Sequence, residues 1–211
     1  MVIETRRLSL RPVTHTDAQL LTRLDSDPAV MRYITGGTAT PFADIADWVI
    51  PRALTESAKQ SGGGLWLATE QRTGYFVGWF SLRAPRHSPS RELELSYRLH
   101  RGAWGQGFAT EGAQRLIDYA FTNFRVGRIF AGTMAVHVGS RRVMEKCGMR
   151  LVSVHQCPDP SISGYERGEV EYDLLVSDWA TMNFPQAYAS RTVPSTFTAR
   201  QSPHGGTELI A

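Results

Sequence analysis

Apolar and polar residues alternate through Leu8-Ser-Leu-Arg-Pro12, the period of a half-buried strand, and this predicts the opening strand of the chain. Thr14-His-Thr-Asp17 offers caps for a helix carrying Ala18, Leu20, Leu21 and Leu24 on one face. Val30, Met31, Tyr33 and Ile34 predict a short second helix after Asp27-Pro28, and Gly36 to Pro41 reads as a loop. A third helical pattern runs from Asp44 to Ser57, with Pro51 expected to kink or break it. Beyond the glycines at 62–64, strands are predicted at Leu65–Glu70 and Tyr75–Leu82, joined by a hairpin turn at Gln71–Gly74. A Pro/Ser/Arg loop from Ala84 to Ser90 leads to a strand at Glu92–His100. Helical spacing returns over 108–124, strand character at Arg128–Met134, and a short helix at Ser140–Gly148, with Ser140 expected as its cap and Gly148 closing it. Met149–Val154 and Glu169–Val176 read as the last strands, with Pro158 to Gly168 as the loop between them.

This order predicts an α/β fold: one domain over residues 1–182, with a mixed, mostly antiparallel sheet of six to seven strands flanked by helices. From Asn183 to Ala211 the chain is rich in Ser, Thr, Pro and Gly with few apolar anchors. That tail is expected to be mobile, or held by a partner or by a second copy of the chain in a homodimer.

The stretch that changes the picture is Arg101-Gly-Ala-Trp-Gly-Gln-Gly-Phe-Ala-Thr-Glu-Gly112, placed between a strand and a helix. Its glycines permit a tight turn and close approach of a ligand, and the helix start that follows offers unpaired N–H groups to a phosphate. No Lys follows, so it is not a P-loop, and its spacing and mid-chain position do not fit a dinucleotide fingerprint.

Composition narrows the rest. Hydrophobic residues make up 42% and charged residues 20% of the 211, as in a globular domain, and the formal charge of +3 is carried almost wholly by Arg, with Lys only at 59 and 146. Without a basic block, an aromatic RNA-binding motif or zinc-finger spacing, that excess reads as a solvated surface and not a nucleic-acid site. Cys147 and Cys157 lack metal or redox spacing, and the six His form no ligand pair, so no metal is expected. The first residues lack a hydrophobic signal core and no apolar run approaches a membrane span, which predicts a soluble cytoplasmic protein.

Taken together, Glu4–Pro12, Glu94-Leu-Ser-Tyr-Arg-Leu99, Trp104-Gly-Gln-Gly-Phe-Ala-Thr-Glu111, Ser140–Gly148, and Val170-Glu-Tyr172 with Trp179 resemble the GNAT acetyltransferases. Within that family the resemblance is to the branch containing the Rim-type ribosomal-protein N-acetyltransferases, and it covers roughly residues 1–180. It implies acetyl-CoA as acyl donor and CoA as product. It also implies a pyrophosphate cradle from the backbone of Trp104, Gly105, Gln106, Gly107, Phe108, Ala109 and Thr110, and a strand edge at Tyr97, Arg98 and Leu99 pairing with the pantetheine arm. Trp104 stands where the family motif commonly has Arg or Gln, and His137 where it commonly has Asn against that arm; a His keeps hydrogen-bonding capacity and leaves a catalytic part for His137 open.

Acyl transfer from a thioester to an amine needs a base for the amine, a donor for the oxyanion and a proton for the departing thiolate. The resemblance implies Glu94 as base and Ser140 as the group protonating the thiolate, with Tyr97 as an alternative acid. Against these stand an outward charge at Glu94, which shares a strand face with Glu92, a helix cap at Ser140 and a packed aromatic at Tyr97. Tyr33, Trp48, Trp79 and Phe80 either line an acceptor groove or belong to the core. The acceptor implied is a peptide N-terminal amine or a small-molecule amine, chosen by the early helices and the 158–168 loop. The competing reading is an acyl-CoA-binding module or sensor that has lost turnover.

Overall fold

The computed structural model describes residues 1–59, 62–85, 91–156 and 162–185. Among these, eight strands form one sheet in the order β1-β2-β3-β4-β5-β6-β8-β7: β1 Ile3–Glu4, β2 Leu8–Pro12, β3 Gly64–Glu70, β4 Phe76–Arg83, β5 Glu92–Leu99, β6 Arg128–Met134, β7 Arg150–His155 and β8 Glu169–Leu175. All neighbours run antiparallel except β5 and β6. The expectation of six to seven strands falls short mainly because β1 is two residues long, too short to show a period.

Alternation divides the sheet's two faces. On one side Trp66, Phe80, Leu82, Leu93, Leu95, Ile129, Tyr172 and Leu174 pack with Ala113, Leu116, Ile117, Ala120 and Phe121 of α5 (Phe108–Asn123) and Met144 of α6 (Val138–Lys146). At Gly112 α5 packs directly against Phe80 of the sheet. A Cβ there would stand 2.3 Å from Phe80 Cζ, far inside contact distance, so only glycine fits. α7 (Val176–Asn183), a segment the apolar pattern left unassigned, lays Trp179 against Phe121 at 5.4 Å and donates its indole N–H to Asp118.

The opposite face carries a smaller core: Leu65 and Leu67 of β3 with Leu21 of α1 (Ala18–Asp25), Ile45 and Ile50. α1 is entered through Asp17, whose buried carboxylate takes the Thr14 N–H and the Arg11 guanidinium. The hydrogen bonds from Arg11 lead in holding it down to about 2, against the cost of burial. α2 (Pro28–Met31) follows. The expected break at Pro51 takes a specific form: α3 (Phe42–Asp44) widens into a π-helical stretch, Ile45–Val49, before α4 (Ile50–Ala58). Proline lacks an N–H and crowds the preceding turn, and the wider turn absorbs both. The expected loops at 84–90 and 158–168 lie partly, and the tail almost wholly, outside the described residues.

Candidate active site

β4 and β5 stay paired along six positions, from Gly78 opposite Leu99 to Arg83 opposite Glu94. β6 pairs with β5 only at Glu92, Leu93 and Glu94. Both strands continue after Glu94, so the sheet parts there, and β5 presents the backbone of 95–99 to a gap.

At the end of β5 the glycine stretch turns the chain into α5. Gly105 and Gly107 have φ of 73° and 81°, a region costly for other residues, and a Cβ on Gly105 would meet no atom within 4 Å. Trp104 donates its indole N–H to Leu99 O at 2.9 Å, folding the turn back on the strand, and Gln106 Nε2 bonds Gly102 O. Gly107 flanks α5 and supplies no side-chain cap, so the first N–H groups of the helix stay open, at its positive end, to an anion. The cradle therefore fits a phosphate group by geometry.

A latch that the sequence pattern does not reveal holds this turn. Glu111 accepts from the Thr5 hydroxyl at 2.6 Å, from the Arg7 main-chain N–H at 2.7 Å and from Arg7 Nε at 2.7 Å. Burial works to raise the Glu111 pKa, but these hydrogen bonds prevail and hold it below the usual carboxylate range. Arg7 also bonds Gln106 O and lies over the Phe108 ring at 4.4 Å. The Thr110 carbonyl accepts from Cys147 Sγ at 4.0 Å. The Cys147 thiol is buried and pushed up to about 12, which leaves it unreactive.

Across the gap, Tyr97 Oη lies 3.0 Å from Ser140 Oγ and donates to Ser140 O at 3.1 Å. Ser140 is not the cap of its helix. α6 begins at Val138 with His137 flanking it, and Ser140 sits in the first turn, where its hydroxyl meets Tyr97. Burial raises the Tyr97 pKa well above that of an ordinary phenol, and the Ser140 bond only partly opposes this. Tyr97 therefore stays protonated at neutral pH. His137, at the start of α6, stacks on Tyr33 at 4.3 Å, and its burial lowers its pKa, which favours the neutral imidazole.

Glu94 points to the other face of β5, where Arg83 Nη2 reaches it at 2.5 Å. Glu92 shares that face but pairs with Arg128, which also holds Glu171 and Asp173. The two carboxylates are therefore held by separate arginines. The Arg98 side chain pairs with buried Asp25 and lies over Trp79, while its buried Nε has no hydrogen-bond partner among the described residues. Of the four aromatics, Phe80 is core, Tyr33 belongs with His137, and Trp48 and Trp79 line a cavity of about 590 Å³ between α4 and the β4–β5 face. Glu94's partner Arg83 and its face neighbour Ser96 line it too.

A sheet parted beside a glycine turn and a helix start is the layout that the resemblance to the GNAT acetyltransferases implies. Residues 7–150 match the acetyltransferase (GNAT) domain family. The chain is 31% identical to the FsC-acetyl coenzyme A-N(2)-transacetylase of Aspergillus fumigatus, over 92% of this chain and 84% of that protein. Its fold matches RimL, the ribosomal L7/L12 alpha-N-protein acetyltransferase in complex with coenzyme A, with a TM-score of 0.71 over 84% of this chain and 99% of that one, at 15% identity. Mycobacterium smegmatis RimJ in complex with CoA-disulfide gives 0.69 over 90% and 95%, at 19% identity. The chain belongs to the GNAT acetyltransferase family, and it is an acyltransferase by that membership. Among the described residues no helix is long and apolar enough to cross a membrane, and no group of His, Cys, Asp and Glu could hold a metal ion.

Proposed function

We propose that this protein transfers the acetyl group of acetyl-CoA to the primary amine of a small molecule by direct attack of the amine on the thioester. The observation that carries the reading is the gap after Glu94, with a candidate base on one face of β5 and a proton donor on the other. Successive strand residues alternate faces, so Glu94 shares a face with Ser96, which lines the α4 cavity with Glu94's partner Arg83, while Tyr97 faces Ser140 and α6. The amine approaches from the cavity, and its proton passes to Glu94, directly or through water. The C–N bond forms as the C–S bond breaks, and the departing sulfur takes its proton from the Tyr97–Ser140 pair. The backbone of residues 95–99 would align the pantetheine arm, and the amides of 105–110 the pyrophosphate.

The A. fumigatus relative, whose name gives FsC and an N(2) position and no ribosomal protein, weighs against a ribosomal acceptor, because its likeness extends over the sequence, whereas the Rim proteins are similar in fold. Thiol release from acetyl-CoA, measured across a panel of small amines and N-terminal peptides, tests this. Release with small amines in preference to peptides is expected. Release with peptides alone would overturn the acceptor assignment. Tight acetyl-CoA binding with no release across the panel would make the protein a binding module.

A further inference from the structure

We propose that Arg7, just before β2, is a positioning residue for the acyl donor: it aims the Gly107 N–H at the phosphate that the glycine turn receives. This rests on the acyl-CoA reading above and deepens it. No residue from 104 to 110 is charged, and the indole N–H of Trp104 is bonded to Leu99 O, so the turn offers a phosphate main-chain N–H groups and no cation. Such groups bind well only where their peptides are held, and glycine holds its peptides least. Gly105 and Gly107 flank Gln106, and a Cβ on Gly105 would meet no atom within 4 Å, so no neighbour packs against that side of the turn.

Arg7 supplies the support. Its Nη1 donates to Gln106 O at 2.9 Å, its guanidinium lies over the Phe108 ring at 4.4 Å, and its Nη2 stands 3.4 Å from where a Gly107 Cβ would be. One side chain thus contacts the residues before and after Gly107. In a trans peptide the C=O and the N–H point in opposite directions. With Gln106 O turned to Arg7, the Gly107 N–H faces away from it, and that N–H has no hydrogen-bond partner among the described residues. A guanidinium on Gln106 O also polarises the peptide, which strengthens its N–H as a donor.

Glu111 makes this bracket rigid and takes net charge out of the account. It accepts from Arg7 Nε and from the Arg7 main-chain N–H, each at 2.7 Å, and from the Thr5 hydroxyl at 2.6 Å. Arg7 and Glu111 together are neutral, so the contribution is one of direction: the N–H is aimed before the ligand arrives, and binding needs less ordering of the turn. Lysine keeps the charge but lacks the planar fork that reaches Glu111 and Gln106 O at once, so it should not replace Arg7.

Amide NMR of the full chain titrated with CoA, alongside CoA affinity by calorimetry, tests the assignment. In the unaltered protein the Gly107 amide proton is expected to move downfield on CoA addition, together with shifts at residues 97–99. Arg7→Lys should weaken CoA binding about tenfold and shrink the Gly107 shift, while the shifts at 97–99 persist at saturation. If Arg7→Lys does not fold, Glu111→Gln, which removes the ion pair holding Arg7 Nε, should produce the same losses in smaller measure. Unchanged CoA affinity and an unchanged Gly107 shift in the variants would overturn the proposal while leaving acyl-donor binding standing. Weaker binding with the Gly107 shift intact would make Arg7 a structural tie and overturn it as well, as would a Gly107 amide that does not respond to bound CoA. No CoA binding by the unaltered protein would overturn the acyl-CoA reading itself.

Discussion

The two edges of β5 are made of the same residues and treated oppositely. On the β4 side the strand is paired from Glu94 through Leu99, and the contact is backed by Phe80, pressed against α5 where Gly112 leaves room. On the β6 side pairing stops after Glu94, and a side-chain bridge, Tyr97 to Ser140, spans the interval. Unpaired backbone groups inside a sheet are normally satisfied. Leaving a row of them open beside a helix start makes a binding edge, and the fully paired β4 side is what keeps that edge rigid.

The largest effect should come from the open side. Gly107→Glu would force a side chain into the left-handed region, at roughly 1–2 kcal/mol, and place a negative charge at the helix start. Acetyl-CoA affinity measured by titration is expected to be lost outright; retained affinity would separate the turn from the cofactor. The closed side is probed next. Gly112→Ala should destabilise the protein by about 1–3 kcal/mol in urea unfolding, because the methyl group overlaps the Phe80 ring. Phe80→Leu should be less damaging in the Gly112→Ala background than alone, and additive losses would deny the contact.

Removing the bridge comes third. Tyr97→Phe should lower kcat by about 10–100-fold, toward the low end of general acid catalysis, with little change in acetyl-CoA affinity. Ser140→Ala should add little to it, since the two hydroxyls act as one donor. An unchanged kcat in Tyr97→Phe would reduce the bridge to a structural tie.

The smallest effect is a pH dependence at His137. Burial disfavours the charged imidazole, so folding lowers the His137 pKa from its ordinary 6.5. The stability of the neutral stacked ring is complete above 6.5 and is lost as pH falls below it. His137→Asn should flatten the fall in melting temperature just below pH 6.5, and an unchanged slope would place the titration elsewhere.

Much of this was legible in the chain. Helix α5 and strand β6 follow directly from their apolar spacing, and the glycine turn announces itself between them. Three features were not legible, each for a physical reason. The Arg7–Glu111 latch joins residues 104 positions apart and breaks no local pattern. α6 starts at Val138, a poor candidate by composition, so Ser140 looks like its cap although it serves Tyr97 instead. Glu94 reads as one of two outward strand carboxylates, with Glu92, until the β4 register brings Arg83 opposite it. Local periodicity reports burial, whereas these pairings are set by register and by contacts distant in sequence.

The central claim is that the free edge of β5 beyond Glu94 and the turn at 105–110 hold the acyl donor. Residue-resolved amide hydrogen exchange with and without acetyl-CoA tests it most directly. Protection is predicted to rise in 95–99 and 105–110 and to stay unchanged in β3 and β8. Protection appearing elsewhere, with 95–99 exchanging at the same rate in both states, would contradict the account.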